Sequence, residues 1–352
     1  MAAHLFFTVL AYTLAFLIRF DFSMPREFLP VFVFFILLLI RLVAGRAVSS
    51  VREVSLAANN VANGVYESFL KVTSEDEVGE LVRSFNTMVF QLQERMRLKE
   101  ALNLAMEVQQ SLLPCETLKL EGLEIAGKSL YCEETGGDYF DFLAPAEIFG
   151  NGVSVVVGDV VGHGVSAALL MTTVRALLRC RLSQPGSLSQ VIGDVNCLLC
   201  RDTEVSGSFM TIFCVMFDMS KREVKWVRAG HDPGLMYDPE DDTFRELTGN
   251  GMALGIDNAC IYEENSMGNL KDGQIFFIGT DGVWEARNNA GEMFGRKRLM
   301  ELIRRHAGGT VDDMASAMMQ AVKDFQDSAK QEDDITLVVI KVDHKSVQER
   351  II

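Results

Sequence analysis

Five short runs of aspartate and glycine, spread along the chain from Gly136 to Thr336, constrain its fold more than any other feature. A pair of hard divalent cations needs several carboxylates in one place, and glycines let loop backbone approach the ions closely. The runs therefore predict one metal site assembled from distant segments, and with it an enzyme. They are Gly136-Gly137-Asp138, Gly158-Asp159-Val160-Val161-Gly162-His163-Gly164, Ala229-Gly230-His231, Thr280-Asp281-Gly282 and Asp333-Asp334-Ile335-Thr336.

Composition narrows the classes of protein that are possible. The 352 residues are 49% hydrophobic, which is enough to build cores, and they carry a formal net charge of −15. That acidic balance argues against a nucleic-acid partner, because such a surface needs clustered Lys and Arg. The seven cysteines are scattered and odd in number, which is typical of reduced thiols in a cytosolic compartment.

Two apolar runs lie near the N-terminus, Leu5–Ile18 and Phe28–Ala44, and only Arg41 interrupts the second. Both are short for a membrane span, which usually needs about 20 residues. We nevertheless expect a membrane helical hairpin over residues 1–44. Because Arg41, Arg46 and Arg52 follow it, the positive-inside rule places the rest of the chain on the cytoplasmic side of the cell membrane.

Residues 45–96 resemble a HAMP domain, the helix-connector-helix relay of bacterial membrane receptors. The resemblance rests on Asp76-Glu77, Gly79, Leu81, Phe85-Asn86 and Met88, although Ser49-Ser50 stands where many such domains carry a proline. A HAMP unit is similar to half of a parallel four-helix bundle. The resemblance therefore implies a homodimer formed through the HAMP domain and a linker helix, residues 97–114.

The apolar positions of this second helix repeat at three-to-four spacing from Val78 to Leu92 and must pack against partner helices. Arg95 and Lys99 then interrupt the repeat. A switchable linker and a solvated helix with a register shift explain the interruption equally well. We expect the helix to end at Pro114, because proline disfavours helical geometry in the residue before it.

The remainder, residues 115–345 followed by a tail at 346–352, predicts an α+β fold. Strands and helices occur in blocks without steady βαβ alternation, so we expect two sheets covered by helices. Predicted strands are Gly137–Leu143, Val153–Val160, Phe209–Phe217, Glu223–Ala229, Gln274–Thr280 and Ile335–Val342, and predicted helices are Gly164–Arg181, Ser187–Asp202, Arg296–His306 and Val311–Ala329. Asp138, Asp159, Asp281 and Asp333 then fall at strand ends, and oxygen ligands favour Mg²⁺ or Mn²⁺ over zinc.

The five runs closely resemble the motifs of PPM-type (protein phosphatase 2C-like) serine/threonine phosphatases, in particular the SpoIIE/RsbU-like branch. The likeness extends from Gln109 onward and implies a layered αββα domain. It also implies that Asp159 bridges two Mn²⁺ or Mg²⁺ ions, that the carbonyl of Val160 is a further ligand, and that Asp281 and Asp333 complete the set. Asp138 matches an early acidic position that contacts metal directly or through water.

Two assignments stay open at this point. Asp334 is an alternative ligand to Asp333, because adjacent strand residues point to opposite faces. His163 could donate a proton to the leaving serine or threonine oxygen, or could orient a metal-bound water by a hydrogen bond. His231 matches a family turn and is expected to be structural.

The resemblance implies hydrolysis by an activated water without a phosphoenzyme, and a phosphorylated STAS-domain anti-anti-sigma factor as substrate. A pseudophosphatase that only binds a phosphorylated partner is one alternative, although all the metal carboxylates are present. A HAMP-linked diguanylate cyclase is another, suggested by Gly136-Gly137-Asp138, but Tyr139 stands where that enzyme needs a second acidic residue. A histidine kinase is excluded, since no histidine lies between His4 and His163.

Overall fold

A computed structural model of the protein describes residues 29–66, 68–132, 135–143 and 152–343, together with a few positions between 8 and 19. The chain divides into two compact units, Met1–Ala101 and Leu102–Ile352. The first predicted membrane span and the predicted C-terminal tail lie largely or wholly outside the described residues.

The first unit is built on two long helices, α1 (Leu29–Ala62) and α2 (Glu77–Ser111), the second of which continues into the second unit. Asp76 begins α2, since its side-chain oxygen accepts hydrogen bonds from the backbone N–H groups of Val78 and Gly79 at 3.1 and 3.2 Å. Ala57 of α1 packs against Phe85 and Val89 of α2 in a small buried cluster.

The connector between these helices is held by amide side chains of α2. Asn86 pairs with both backbone groups of Leu70, at 2.9 and 2.8 Å, and Gln93 donates to the carbonyl of Tyr66 at 2.7 Å. These contacts satisfy backbone groups that lie outside regular structure. The connector is therefore held along α2 by these side chains.

Residues 29–44 of the predicted second span form the first half of α1, which continues without a break into the first HAMP helix, and Phe28 lies outside the described residues. In the described part of the chain, no helix combines the length and the apolarity that are needed to cross a bilayer.

The second unit contains two antiparallel sheets. The first has six strands in the order β1 (Leu118–Leu120), β2 (Gly122–Leu130), β11 (Ile335–Asp343), β10 (Ile275–Gly279), β7 (Gly234–Asp238) and β8 (Thr243–Leu247). The second has five, in the order β3 (Tyr139–Leu143), β4 (Gly152–Val160), β5 (Met210–Asp218), β6 (Glu223–Ala229) and β9 (Glu264–Gly268). The helices of this unit are α3 (Val165–Leu182), α4 (Leu188–Thr203), α5 (Gly282–Glu285), α6 (Gly295–His306) and α7 (Val311–Gln326).

Successive side chains of a strand point to opposite faces of its sheet, so each sheet packs on both faces. In β4, Val153, Val155 and Val157 point into a core shared with the six-stranded sheet, whereas Val156 and Val160 pack with α3 and α4. The outer face of the six-stranded sheet packs against α6 and α7 in a third buried cluster. The predicted α+β fold, with two sheets flanked by helices, is confirmed.

The predicted strands and helices of this unit all occur, with ends shifted by up to three residues. Sequence patterning missed β1, β2 and β7 to β9, as well as the short helix α5. Of these, β8 and β9 are short and largely solvent-accessible, so they lack the apolar alternation that marks a half-buried strand.

Candidate active site

Two of the predicted acidic residues meet at one edge of the five-stranded sheet. Asp138 immediately precedes β3, and Asp159 is the penultimate residue of β4. The two strands are antiparallel with Tyr139 opposite Gly158, so the start of one lies beside the end of the other. Strand register thus brings together carboxylates that are distant in sequence.

In the six-stranded sheet, antiparallel pairing again brings acidic residues at strand ends together. Asp281 follows the end of β10, and Asp333 and Asp334 precede β11. These strands are also antiparallel, with Gly279 opposite Leu337. A second group of carboxylates therefore lies where these two strands meet.

Hydrogen bonds join the acidic strand ends of the five-stranded sheet to those of the six-stranded sheet. Thr280 Oγ1 donates to Asp138 Oδ2 at 2.8 Å, and the backbone N–H of Gly137 donates to Asp334 Oδ2 at the same distance. Asp334 Oδ1 accepts a third bond, from the backbone N–H of Cys132 at 2.8 Å. The acidic ends of the two sheets therefore form one site.

Asp333 and Asp334 have different surroundings. Asp334 is 4% exposed and accepts backbone N–H bonds on both carboxylate oxygens. Asp333 is exposed, and its Oδ1 accepts from the backbone N–H of Asp334 at 2.8 Å. Both oxygens of Asp334 are thus used to hold loop backbone. The exposed Asp333 carboxylate can still accept further bonds or bind an ion.

Two glycines of the acidic runs are required by the close approach of Asp334. A Cβ atom at Gly136 would collide with the Asp334 carboxylate and with the ring of Tyr131. A Cβ atom at Gly282 would collide with the Asp334 backbone carbonyl. The glycines therefore let the strand-end loops pack onto this aspartate.

The carboxylates disfavour one another's ionised form. Burial, and then the carboxylates of Asp281 and Asp333, raises the pKa of Asp159 to about 8. Burial, and then Asp159 and Asp334, holds the pKa of Asp138 well above its usual range. A divalent cation would relieve this repulsion, and an all-carboxylate donor set has the chemistry that Mg²⁺ or Mn²⁺ prefers.

Across the described residues, no three Asp, Glu, His or Cys side chains already lie in an arrangement that could enclose an ion. The carboxylates of Asp281 and Asp333 act on Asp159, and that of Asp159 acts on Asp138, so these four neighbouring side chains are the ones that could hold an ion. The residues present therefore fit a divalent metal by chemistry and by location.

Val160 follows Asp159 directly, and His163 lies three residues further along the chain. Val160 ends β4 and is buried, whereas His163 is exposed in the turn that leads into α3. Gly162 and Gly164, on either side of His163, have φ of 84° and 79°, values that favour glycine. The turn therefore presents His163 at the surface just beyond the carboxylates.

His231 connects the two sheets beneath the acidic residues. Its Nε2 donates to the carbonyl oxygen of Gly279 at 3.1 Å, so Nδ1 is the acceptor for the Thr211 hydroxyl at 2.8 Å. Thr211 lies opposite Asp159 in the β4–β5 pair, and Gly279 lies two residues before Asp281. Burial lowers the pKa of His231 to about 4, so the ring is neutral near pH 7. This geometry agrees with the expected structural role of His231.

Sequence comparison identifies two matching families. The family described as stage II sporulation protein E (SpoIIE) matches residues 150–343, and the HAMP domain matches residues 42–94. The phosphoserine phosphatase RsbU of Bacillus subtilis is 28% identical over 247 residues, which are 70% of this chain and 71% of that protein.

Two solved structures resemble the second unit. The SiaA-PP2C domain of Pseudomonas aeruginosa aligns with a TM-score of 0.61 and 24% identity, over 71% of this chain and 99% of that one. The RsbU and RsbW domains of Rv1364c from Mycobacterium tuberculosis align with a TM-score of 0.54 and 27% identity, over 64% of this chain and 61% of that one. The layered arrangement of two sheets and flanking helices is therefore shared with known phosphatase domains.

Proposed function

The chain belongs to the SpoIIE family, and from that premise we propose that it is a metal-dependent phosphatase that hydrolyses phosphoserine or phosphothreonine on a protein substrate. One observation carries the proposal. Carboxylates from the ends of two different sheets meet at a single site that is joined by the Thr280–Asp138 and Gly137–Asp334 hydrogen bonds. Nothing in this arrangement supports the diguanylate cyclase alternative for the Gly136-Gly137-Asp138 run.

We assign the ligands of two Mn²⁺ or Mg²⁺ ions by position. Asp159 would bridge them, and the carbonyl of Val160, Asp281 and Asp333 would complete the set. The exposure of Asp333 and the backbone bonds of Asp334 support Asp333 over its neighbour. Asp138, held by Thr280, would bind directly or through water.

The chain's own residues position the reaction. Bound at these carboxylates, the ions would activate a water molecule for in-line attack on phosphorus and neutralise the phosphoryl oxygens. Asp334 and Thr280 keep the acidic loops in register by the bonds described above. His163, exposed beside the site, would donate a proton to the leaving oxygen or orient a water.

The proposed substrate is a phosphorylated STAS-domain anti-anti-sigma factor in a partner-switching pathway. Similarity to a phosphoserine phosphatase, RsbU, supports the phosphoprotein class. Similarity to a protein that joins RsbU and RsbW domains supports the partner-switching setting.

We also propose a homodimer formed through the HAMP domain and α2. Phe85 packs within its own unit, but Leu81 and Met88 of the same predicted apolar repeat are exposed and could contact a second copy. Light scattering on the full chain tests this, with Met88→Glu as the disrupting variant. A wild-type monomer at every accessible concentration would contradict the proposal.

Membrane anchoring by the N-terminal region remains part of the proposal. Apolar side chains of α1, among them Phe34, Phe35 and Leu37, are exposed, which supports contact with lipid. Fractionation of cells expressing the full chain or a chain lacking residues 1–44 tests it. Recovery of both proteins in the supernatant would count against anchoring.

The central experiment measures phosphate release from a phosphorylated STAS-domain protein with Mn²⁺, with Mg²⁺ and with chelator. We expect release that depends on a divalent cation. Binding of the phosphorylated partner without turnover would instead support the pseudophosphatase alternative. Phosphate release that is unaffected by chelator would contradict the proposed dependence on a divalent metal.

A further inference from the structure

Tyr131 directly follows β2 and lies beside Asp334. The backbone N–H of the next residue, Cys132, donates to Asp334 Oδ1 at 2.8 Å, and β2 pairs with β11, the strand that Asp334 precedes. A Cβ atom at Gly136 would collide with both the Tyr131 ring and the Asp334 carboxylate, so the ring and the carboxylate lie side by side. The phenol ring therefore borders the acidic site.

The Tyr131 hydroxyl is buried without a hydrogen-bond partner among the described residues. The hydroxyl of Ser129, two positions earlier, shares a 2.8 Å bond with Thr336 Oγ1. Burial, and then the carboxylates of Asp334 and Asp138, raises the pKa of Tyr131 well above its usual range, so the phenol is neutral. Buried polar groups that no protein group satisfies are commonly satisfied by bound water.

The carboxylates beside this hydroxyl already accept bonds from the protein. Both oxygens of Asp334 accept backbone N–H bonds, and Asp138 Oδ2 accepts from Thr280 Oγ1 at 2.8 Å. Ions such as Mg²⁺ usually keep several waters when carboxylates bind them. Such a water donates hydrogen bonds to its neighbours, and a neutral phenol oxygen can accept one while its own proton is shared with a nearby carboxylate. The Tyr131 hydroxyl therefore fits the hydration shell of an ion bound at Asp138.

We propose that Tyr131 is a positioning residue that strengthens cation binding: its hydroxyl accepts a hydrogen bond from the water through which Asp138 would contact the ion. The inference rests on the proposed function, and of the two contacts open to Asp138 it selects the one through water. The packing of the ring against Gly136 holds the hydroxyl in place. Tyr131 itself binds neither the ion nor the phosphoryl group.

The test compares full-length Tyr131→Phe with wild type and uses Tyr262→Phe as the matched control. Tyr262 is 4% exposed, and its hydroxyl is also buried without a partner in the described part of the chain. It packs in the core beneath α3 and α4, however, and the ionisable groups that act on its hydroxyl are Cys260, Cys200 and Asp257. Mn²⁺ binding is measured by the electron paramagnetic resonance signal of free Mn²⁺, and thermal unfolding is recorded in chelator and at increasing Mn²⁺.

We expect Tyr131→Phe to weaken Mn²⁺ binding by about tenfold, the lower end of the loss that follows removal of a group hydrogen-bonded to a metal's ligands. Half-maximal phosphate release should need correspondingly more Mn²⁺, and Tyr262→Phe should bind Mn²⁺ as wild type does. In chelator we expect Tyr131→Phe to unfold close to the wild-type temperature, because the hydroxyl that it loses has no partner among the described residues. Added Mn²⁺ should then raise its unfolding temperature less than that of wild type.

The Phe variant keeps the ring that packs against Gly136, so it removes the hydroxyl and little else. If wild type binds Mn²⁺ and Tyr131→Phe binds it equally well or more tightly, this inference alone is overturned. Failure of Tyr131→Phe to fold, or a clearly lower unfolding temperature in chelator with unchanged Mn²⁺ affinity, would show that the hydroxyl is structural and would have the same consequence. Wild-type protein that binds no Mn²⁺ would overturn the proposed metal centre and this inference with it.

Discussion

Arg179 binds Asp141 through two parallel hydrogen bonds, from Nε to Oδ2 at 2.6 Å and from Nη2 to Oδ1 at 2.7 Å. Asp141 is fully buried in β3, and its Oδ2 also accepts from the Tyr139 hydroxyl at 3.0 Å. The pair ties α3 to the strand that begins immediately after Asp138. This ion pair therefore holds β3, the strand next to Asp138, against α3.

We predict that Asp141→Ala lowers the free energy of unfolding by about 2 kcal/mol. Removing the carboxylate leaves the buried Tyr139 hydroxyl without its acceptor, whereas the Arg179 side chain, which is 43% exposed, stays in contact with solvent. Chemical denaturation of the full chain measures the change.

Asp194→Ala is the matched control for this prediction. Asp194 also pairs with an arginine of α3, Arg181 at 2.7 Å, but its side chain is 59% exposed. We expect a loss below about 1 kcal/mol, since exposed ion pairs contribute little. Equal losses in the two variants would contradict the assigned importance of burial.

Asp159→Asn and Asp281→Asn should each abolish Mn²⁺-dependent phosphate release without loss of the fold. Each change removes a proposed metal ligand and also removes one ionisable carboxyl group from a site where burial and neighbouring carboxylates disfavour ionisation. We therefore expect the metal-free variants to unfold at the wild-type temperature or above it.

Asp202→Asn, at an exposed position of α4, serves as the control and should retain full activity. A well-folded double variant of Asp159 and Asp281 that still releases phosphate would falsify the two-metal assignment.

Metal-free protein should lose stability as the pH rises from 6.5 to 8. The folded-state pKa of Asp159 is raised from 3.8 to about 8, so the folded protein holds more protons than the unfolded chain in this range, and the free energy of unfolding falls with pH. His231 has the opposite shift, but its contribution is complete above its unfolded pKa of 6.5. Asp159 alone accounts for at most about 2 kcal/mol.

Thermal unfolding in chelator at the two pH values measures this change, and we expect a fall of several degrees. Asp159→Asn should flatten the dependence, and Mn²⁺ should raise the unfolding temperature more at the higher pH, because ligation requires deprotonated carboxylates. A metal-free melting temperature that rises over this interval would show that the shift has been assigned the wrong sign.

His231→Ala should lower both stability and kcat. The change leaves the carbonyl of Gly279 and the hydroxyl of Thr211 without their partner in a buried setting, which costs about 1–3 kcal/mol. Because those groups adjoin the strand positions of Asp159 and Asp281, we expect the placement of both carboxylates to suffer.

The measurements for His231→Ala are unfolding temperature and the Mn²⁺-saturated rate. His306→Ala, at the end of α6, is the control and should change neither by much. If the His231 variant is destabilised but keeps the wild-type rate per folded molecule, His231 does not affect the metal centre.

The sequence of residues within single elements and motifs was enough to predict the domains, the enzyme class and the architecture of this protein. The HAMP and phosphatase resemblances, the enzyme class and the α+β architecture were all predicted from sequence and are confirmed. Period-two alternation in β4 and the apolar spacing of α3 and α4 carry that information within single elements. Ligand roles, the dimer and the membrane anchor remain predictions.

Tertiary structure decided what no local pattern encodes. Which of Asp333 and Asp334 turns inward depends on the register of β11, and the bond from Gly137 to Asp334 joins residues 197 positions apart. The bridge made by His231 and the pairing of Gln109 with Gly136 likewise exist only once two sheets and a helix end are packed together. Sequence specifies an element through its neighbours along the chain, but a site between layers is specified by contacts that form only when those layers close.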